Sequence, residues 1–237
     1  MGITVTILTY NEEENIKELI PQVKEQLVKL TDDYEILVVD SPNSKDNSKD
    51  VCEKNNVKYY LQEGPYFIDA LKTAIKYASK DIFLYIDADF SHPPEYIPDI
   101  YNAFISNNAD LVIGSRYVKG GSTDDFKKNI IYSKVLNLIY KILSGDFKTN
   151  DISGGYKMYK TSVLKNMKLW SRYFEMQIEI FIKAKLANPE FKVVEVPIHF
   201  KQREKGCSKR NYFKYLPSFL KVFIKLFFYK IFYRVIK

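Results

Sequence analysis

Two aspartates one residue apart, Asp87 and Asp89, follow the apolar run Ile82-Phe83-Leu84-Tyr85-Ile86 and precede Pro93-Pro94-Glu95. The run reads as a buried strand and the prolines as the opening of a helix, so the carboxylates fall at a strand's carboxyl end. Mg²⁺ and Mn²⁺ favour oxygen ligands, are held by one or two carboxylates, and keep positions for phosphate oxygens. Open α/β sheets bind ligands at this same edge. The pattern therefore points to a divalent cation shared between the chain and a phosphorylated ligand. An acidic pair that merely caps a helix or faces solvent is the competing reading, and the buried strand before it argues against it.

Other reactive side chains say less. His92, at the start of the same helix, reads as a capping or packing residue rather than a metal ligand, and His199 as structural. Gly154-Gly155 is a tight turn and makes a poor phosphate cradle, because no helix starts directly after it. The two cysteines, Cys52 and Cys207, are too few and too distant for a disulfide framework or zinc site, and read as free thiols.

The elements that must position the acidic pair alternate through the first half. Ile3–Leu8, Glu35–Val39, Val57–Leu61, Ile82–Ile86 and Asp110–Gly114 read as strands. Glu13–Lys29, Ser44–Asn55, Ile68–Ser79 and Glu95–Asn107 read as helices. This alternation predicts an α/β fold, a Rossmann-like, mostly parallel sheet with helices on both faces and right-handed crossovers. Further on, Lys119-Gly120-Gly121-Ser122 reads as a flexible lid loop. Asn129–Leu143 reads as a helix with Ile131, Val135, Leu138, Ile139 and Ile142 on one side. A short strand, Tyr156–Tyr159, a helix, Phe174–Leu186, and a last strand, Phe191–Val196, follow. At 237 residues the chain suits one large body, residues 1–210, plus an appendage, residues 211–237.

The net charge of +7 is unevenly placed. Residues 197–237 carry 11 Lys/Arg against one acidic residue, a net +10, which leaves −3 for residues 1–196. Ten of the 27 residues from 211 on are Phe or Tyr. A bilayer span there would carry Lys221, Lys225, Lys230 and Arg234, each costing roughly 2.5–3.5 kcal/mol near a helix centre. Two short amphipathic helices lying in the headgroup layer fit better, with packing on the body or on a second subunit as the alternative. Nucleic-acid binding is disfavoured, since the basic excess sits among aromatics that suit lipid. The polar run Asn11-Glu12-Glu13-Glu14 after Leu8 excludes an N-terminal signal peptide reading.

Thr9-Tyr10-Asn11-Glu12 after the first strand, Asp40 after the second, DADFSHPPE (87–95), GSRYVKGGS (114–122), DISGGYK (151–157) and REKGCSK (203–209) occur in this order. Over residues 3–210 the set resembles family 2 glycosyltransferases of the GT-A fold, among them the dolichol-phosphate (polyprenol-phosphate) mannosyl- or glucosyltransferases. The resemblance implies inverting transfer of a hexose from a GDP- or UDP-linked sugar to a polyprenyl or dolichyl phosphate. It places the chain peripherally on the cytoplasmic face of the membrane, with Mg²⁺ or Mn²⁺ as cofactor.

By position, the resemblance assigns Thr9, Tyr10, Asn11, Glu12 and Asp40 to the nucleotide pocket. Asp87, Ala88 and Asp89 would meet ribose and diphosphate, with Asp87, Asp89 and Ser91 on the metal. Gln177 and Glu179 would face the sugar. Arg116, Arg203, Ser208 and Lys209 would bind the acceptor phosphate, and Asp89, Arg116, Arg203 and Lys209 would carry the catalysis. A homo-oligomer or a membrane subunit is the partner class left open.

These residue types suit the chemistry. A diphosphate leaving group gains negative charge that a cation and cationic side chains stabilise. A phosphate acceptor is already ionised and needs no strong base. A sugar hydroxyl acceptor, the sibling reading, would need one, with Asp151 or Glu179 as candidates. A catalytically silent membrane-bound scaffold is the remaining alternative. It is motivated by departures from the family pattern: Ser41 in place of a second Asp, an extra residue near Pro42, EGPYFIDAL (63–71) in place of a Lys/Gly-rich segment, and Ser91 where Gln is usual.

Overall fold

The computed structural model describes residues 1–203 and 212–236; Ser208 and Lys209 lie outside them. The seven-stranded sheet has the order β3-β2-β1-β4-β7-β5-β8. Its strands are β1 (Ile3–Thr9), β2 (Tyr34–Asp40), β3 (Lys58–Leu61), β4 (Ile82–Asp87), β5 (Leu111–Ser115), β7 (Lys157–Lys160) and β8 (Val193–Pro197). Every pairing is parallel except those of β7, which runs antiparallel to both β4 and β5. The short β6 (Ser122–Thr123) pairs with β9 (His199–Phe200) in a separate ribbon. The glycine-rich segment expected to be a loose lid is thus tied down at its end. Gly121 also lies where a Cβ would come 2.5 Å from the Ser115 carbonyl oxygen.

Alternation along the buried strands builds two cores. Ile82, Leu84 and Ile86 join α1 (Glu13–Val28) and α4 (Ile97–Ser106) on one face. Phe83 and Tyr85 join α3 (Phe67–Tyr77) and α7 (Met176–Ala187) on the other. The short α2 (Ser48–Lys54) starts four residues later than expected, because residues 41–47 form a loop that grips the start of α1. The Asp46 Oδ2 accepts the Glu13 N–H at 2.7 Å, filling a donor that the first turn leaves unsatisfied. The short α6 (Thr161–Lys165) follows β7.

Two helices depart from expectation. In α5 (Lys127–Ser144) the apolar stripe faces outward: Ile131, Leu138 and Ile142 are 60%, 55% and 63% exposed. Its polar side turns inward instead, burying Asn137 and Tyr140. The C-terminal segment forms one continuous helix, α8 (Tyr212–Ile236), not two, and Pro217 sits within it. A proline one turn inside a helix removes one main-chain hydrogen bond, and packing on the body offsets that loss. Val222 and Leu226 are buried against the body, the Tyr173 and Tyr215 rings meet at 4.5 Å, and Lys230 Nζ donates to the Leu143 carbonyl at 2.7 Å. The opposite side leaves Leu216, Leu220, Ile224 and Phe227 exposed. The helix is therefore apolar on two sides, not amphipathic as expected.

Candidate active site

The carboxyl ends of β1, β2 and β4 share one edge, with Thr9 opposite Asp40 and Leu8 opposite Asp87. β2 and β4 flank β1 on opposite sides, which makes this the switch point where an open sheet forms its crevice. Asp87 and Asp89 stand there with side chains 18% and 16% exposed. The Tyr85 hydroxyl donates to Asp87 Oδ1. Arg203 reaches in from beyond β9: its Nη1 lies 3.4 Å from Asp89 Oδ2, and its Nη2 donates to Glu12 Oε1. Asn15 Nδ2 donates to the other Glu12 oxygen at 2.6 Å.

Hard oxygens that already gather a cationic group suit Mg²⁺ or Mn²⁺. Among the described residues no three His, Cys, Asp or Glu side chains cluster to hold a metal alone, so an ion would need a ligand's oxygens as well. Ser91, expected on the metal, turns its hydroxyl onto Asp89 Oδ1 at 2.6 Å and orients that carboxylate instead.

The expected nucleotide residues fall together at the ends of β1 and β2. Asp40 is buried: its Oδ1 accepts from the Thr9 hydroxyl and the Ser41 N–H, both at 2.9 Å, and its Oδ2 from the Tyr59 hydroxyl at 2.9 Å. Burial raises its pKa, and these hydrogen bonds offset part of the rise. Asp40 thus braces the pocket floor and presents little of itself to a base or ribose. Asn11 has a φ of 54° and links to the 41–47 loop, its Oδ1 accepting the Lys45 N–H at 2.7 Å. Tyr10 is exposed beside it.

Arg116 was expected to meet phosphate, yet its guanidinium is engaged internally. Its Nε and Nη2 donate to the two Asp151 oxygens at 2.8 and 2.7 Å, and Nη2 also to Ser153 Oγ at 3.2 Å. Burial works against both charges, and each holds the other ionised: the Asp151 carboxyl stays below its ordinary range and the Arg116 guanidinium above its own. Gln177 is brought to the same edge, where its Oε1 accepts from Lys157 Nζ at 2.8 Å. Glu179 is not. It is fully buried, accepts the Trp170 and Ser171 N–H groups at 2.7 and 2.8 Å, and pairs with Lys183. Those bonds close the loop ahead of α7 and occupy the Glu179 carboxylate within the interior.

Sequence reasoning missed Tyr59, Tyr85, Asn137 and Lys157. Asn137 donates to Asp151 Oδ1 at 3.3 Å; it lies on the side of α5 opposite the apolar stripe, where the spacing gives no signal of burial. Lys157 is fully buried, and burial pulls its pKa down to about 7. A lysine on an inward position of an apolar strand was the available signal.

A family model described as Glycosyl transferase family 2 matches residues 4–168. The chain is 35% identical over 227 residues to the dolichol-phosphate mannosyltransferase of Pyrococcus furiosus, covering 91% of this chain and 62% of that protein. It is 32% identical over 219 residues to the polyprenol monophosphomannose synthase of Mycolicibacterium smegmatis, covering 86% of this chain and 79% of that one. It thus spans less than two thirds of the first relative's length. Its fold is similar to glucosyl-3-phosphoglycerate synthase of Mycobacterium tuberculosis, solved with Mn²⁺, UDP and phosphoglyceric acid. That match has TM-score 0.71 and 17% identity over 95% of this chain and 76% of that one.

Proposed function

The chain belongs to glycosyl transferase family 2, and on that premise we propose that it moves a hexose, mannose or glucose, from a GDP- or UDP-linked sugar onto polyprenyl or dolichyl phosphate, with inversion. The observation that carries this reading is the meeting of Asp87, Asp89, Glu12 and Arg203 at the sheet's switch point. The names of the two relatives support the lipid acceptor. Mg²⁺ or Mn²⁺, held by Asp87 and Asp89 together with the donor's diphosphate, would supply charge neutralisation for the leaving group.

The chain's own residues then do the following. Thr9, Asn11, Glu12 and the braced Asp40 shape the nucleotide pocket, and the Arg116–Asp151 pair fixes the loop that leads into β7. Arg203, with Ser208 and Lys209, receives the acceptor phosphate and aligns it for attack on the sugar. The two carboxylates that a hydroxyl acceptor would call upon as base, Asp151 and Glu179, are both buried in ion pairs. Such groups are poorly placed to take a proton, which favours an acceptor that arrives ionised.

The body, residues 1–210, carries the chemistry, and residues 211–237 dock it on a membrane surface together with the outward stripe of α5. Among the described residues no helix is long and apolar enough to cross a membrane. An apolar groove of about 630 Å³ runs between α5 and α8, lined by Ile139, Ile142, Phe223 and Phe227 among others. Exposed Lys221 and Lys225 stand on α8 near these apolar sides, where anionic headgroups would meet them.

The test is transfer of label from GDP-mannose, GDP-glucose, UDP-glucose or UDP-mannose to polyprenyl phosphate with Mn²⁺. An organic-extractable, mild-acid-labile product is expected, and Asp89→Ala should lower its rate by roughly 100-fold or more with the fold intact. No product from any donor while nucleotide still binds would favour a silent scaffold.

A further inference from the structure

We propose that His92 is a positioning residue for the acidic pair. It holds the turn from Asp87 to Ser91 in the shape that presents both carboxylates, and so sets how tightly the turn takes a hard divalent cation. The inference rests on the reading of that pair as the cation site.

The turn is strained. Phe90, a bulky side chain, has a φ of 63°, in the left-handed region that such residues rarely adopt. Strain of this kind persists only where the surroundings over-determine it. His92 supplies the closing bond: its Nδ1 accepts the Asp87 N–H at 3.0 Å, joining the end of the turn to its start. Because Nδ1 is the acceptor, the proton of the neutral ring sits on Nε2. The same nitrogen is 3.9 Å from Asp87 Oδ2, so the ring lies beside the carboxylate and acts on it through the main chain.

The ring itself is fixed. His92 is 2% exposed, stacks on Tyr156 at 4.9 Å, and meets the edges of Phe200 and Tyr85 at 5.6 and 6.2 Å. Tyr156 in turn donates its hydroxyl to the Pro93 carbonyl at 3.0 Å, which locks the residue after His92. Gly155 acquires a reason here. A Cβ on it would lie 3.0 Å from His92 Cε1 and 3.4 Å from Nε2, so the glycine makes the seat for the imidazole. Second-layer groups of this kind typically change metal affinity by roughly 10–100-fold when removed.

The experiment measures Mn²⁺ binding by calorimetry on the full chain, alone and with GDP or UDP, beside the thermal midpoint. His92→Phe keeps a ring of similar size and removes the acceptor; Mn²⁺ affinity should fall roughly tenfold or more while a cooperative transition is kept. His92→Asn, whose side-chain oxygen reaches the place of Nδ1, should recover most of the loss. Wild-type affinity in His92→Phe, or an Asn variant as weak as Phe, would overturn the proposal. If His92→Phe shows no cooperative transition, Gly155→Ala crowds the same ring with a smaller change. Weakened Mn²⁺ binding is expected there, and unchanged binding sinks the idea. A wild-type protein that takes no Mn²⁺ even with nucleotide would refute the cation reading itself, and the positioning role with it. That failure is recognisable because wild type and variants would then be silent alike.

Discussion

A carboxylate whose oxygens are filled by main-chain N–H groups and an ammonium works for the fold. Glu179→Ala would leave Lys183 with only the Lys168 carbonyl and the Trp170 ring, and two N–H groups without acceptors; removing one partner of a buried pair costs about 3–5 kcal/mol. The expected result is a large drop in thermal midpoint with an unchanged KM for donor in the protein that remains folded. A raised KM with unchanged stability would return Glu179 to the sugar. Residue types and spacing made the Asp87/Asp89 pair legible, because a buried strand ending in two carboxylates has few other uses. The partners of those residues were not legible. Tyr59 and Tyr85 donate to Asp40 and Asp87 from alternating strand positions that look like ordinary core aromatics, and only pairing of β2 with β3 brings Tyr59 to Asp40.

At the scale of elements, one buried acid ties three strands and a helix end together. Glu35 in β2 accepts from the Thr4 hydroxyl of β1 at 2.7 Å, from Lys58 of β3 at 2.6 Å, and from the Ser79 N–H beyond α3 at 2.6 Å. Burial alone would raise its pKa; Lys58, Ser79 and Thr4 outweigh it and bring the carboxyl down to about 2. A depressed carboxyl stabilises the fold above its unfolded value, near 4.5, and loses that contribution as pH falls toward 2. Glu35→Gln should therefore unfold at lower denaturant than wild type at pH 7, by about 2 kcal/mol, with the two curves converging as pH approaches 2. A gap that persists at pH 2 would assign the loss to packing. Periodicity gave the parallel half of the sheet, since alternating strands and helices have one compact solution. It placed β7 within one residue as a short strand but not its reversed direction, which is set by neighbours on both sides. Nor did it show that the 41–47 loop would supply the cap for α1.

Across the whole molecule, charge asymmetry was readable from composition, but the direction of an apolar stripe was not. The spacing of Ile131, Val135, Leu138 and Ile142 defines a face of α5 without saying what the face meets. In the fold it is exposed, and at its C-terminal end Ile142 borders the groove shared with α8. The double variant Ile131→Glu/Leu138→Glu should lose flotation with anionic vesicles by roughly tenfold or more and keep its thermal midpoint, because exposed sites tolerate substitution. A midpoint that collapses, or flotation that is unchanged, would separate α5 from the docking surface.

The inversion of α5 has a mechanical consequence. One side of this helix touches Asp151 through Asn137 and Tyr117 through Ser133, and the other side carries the outward stripe. A wall one helix thick, about 10 Å, thus separates the buried Arg116–Asp151 pair from the exposed stripe. On the proposed docking of that stripe, a load on the helix would pass through Asn137 to Asp151 and the loop ahead of β7.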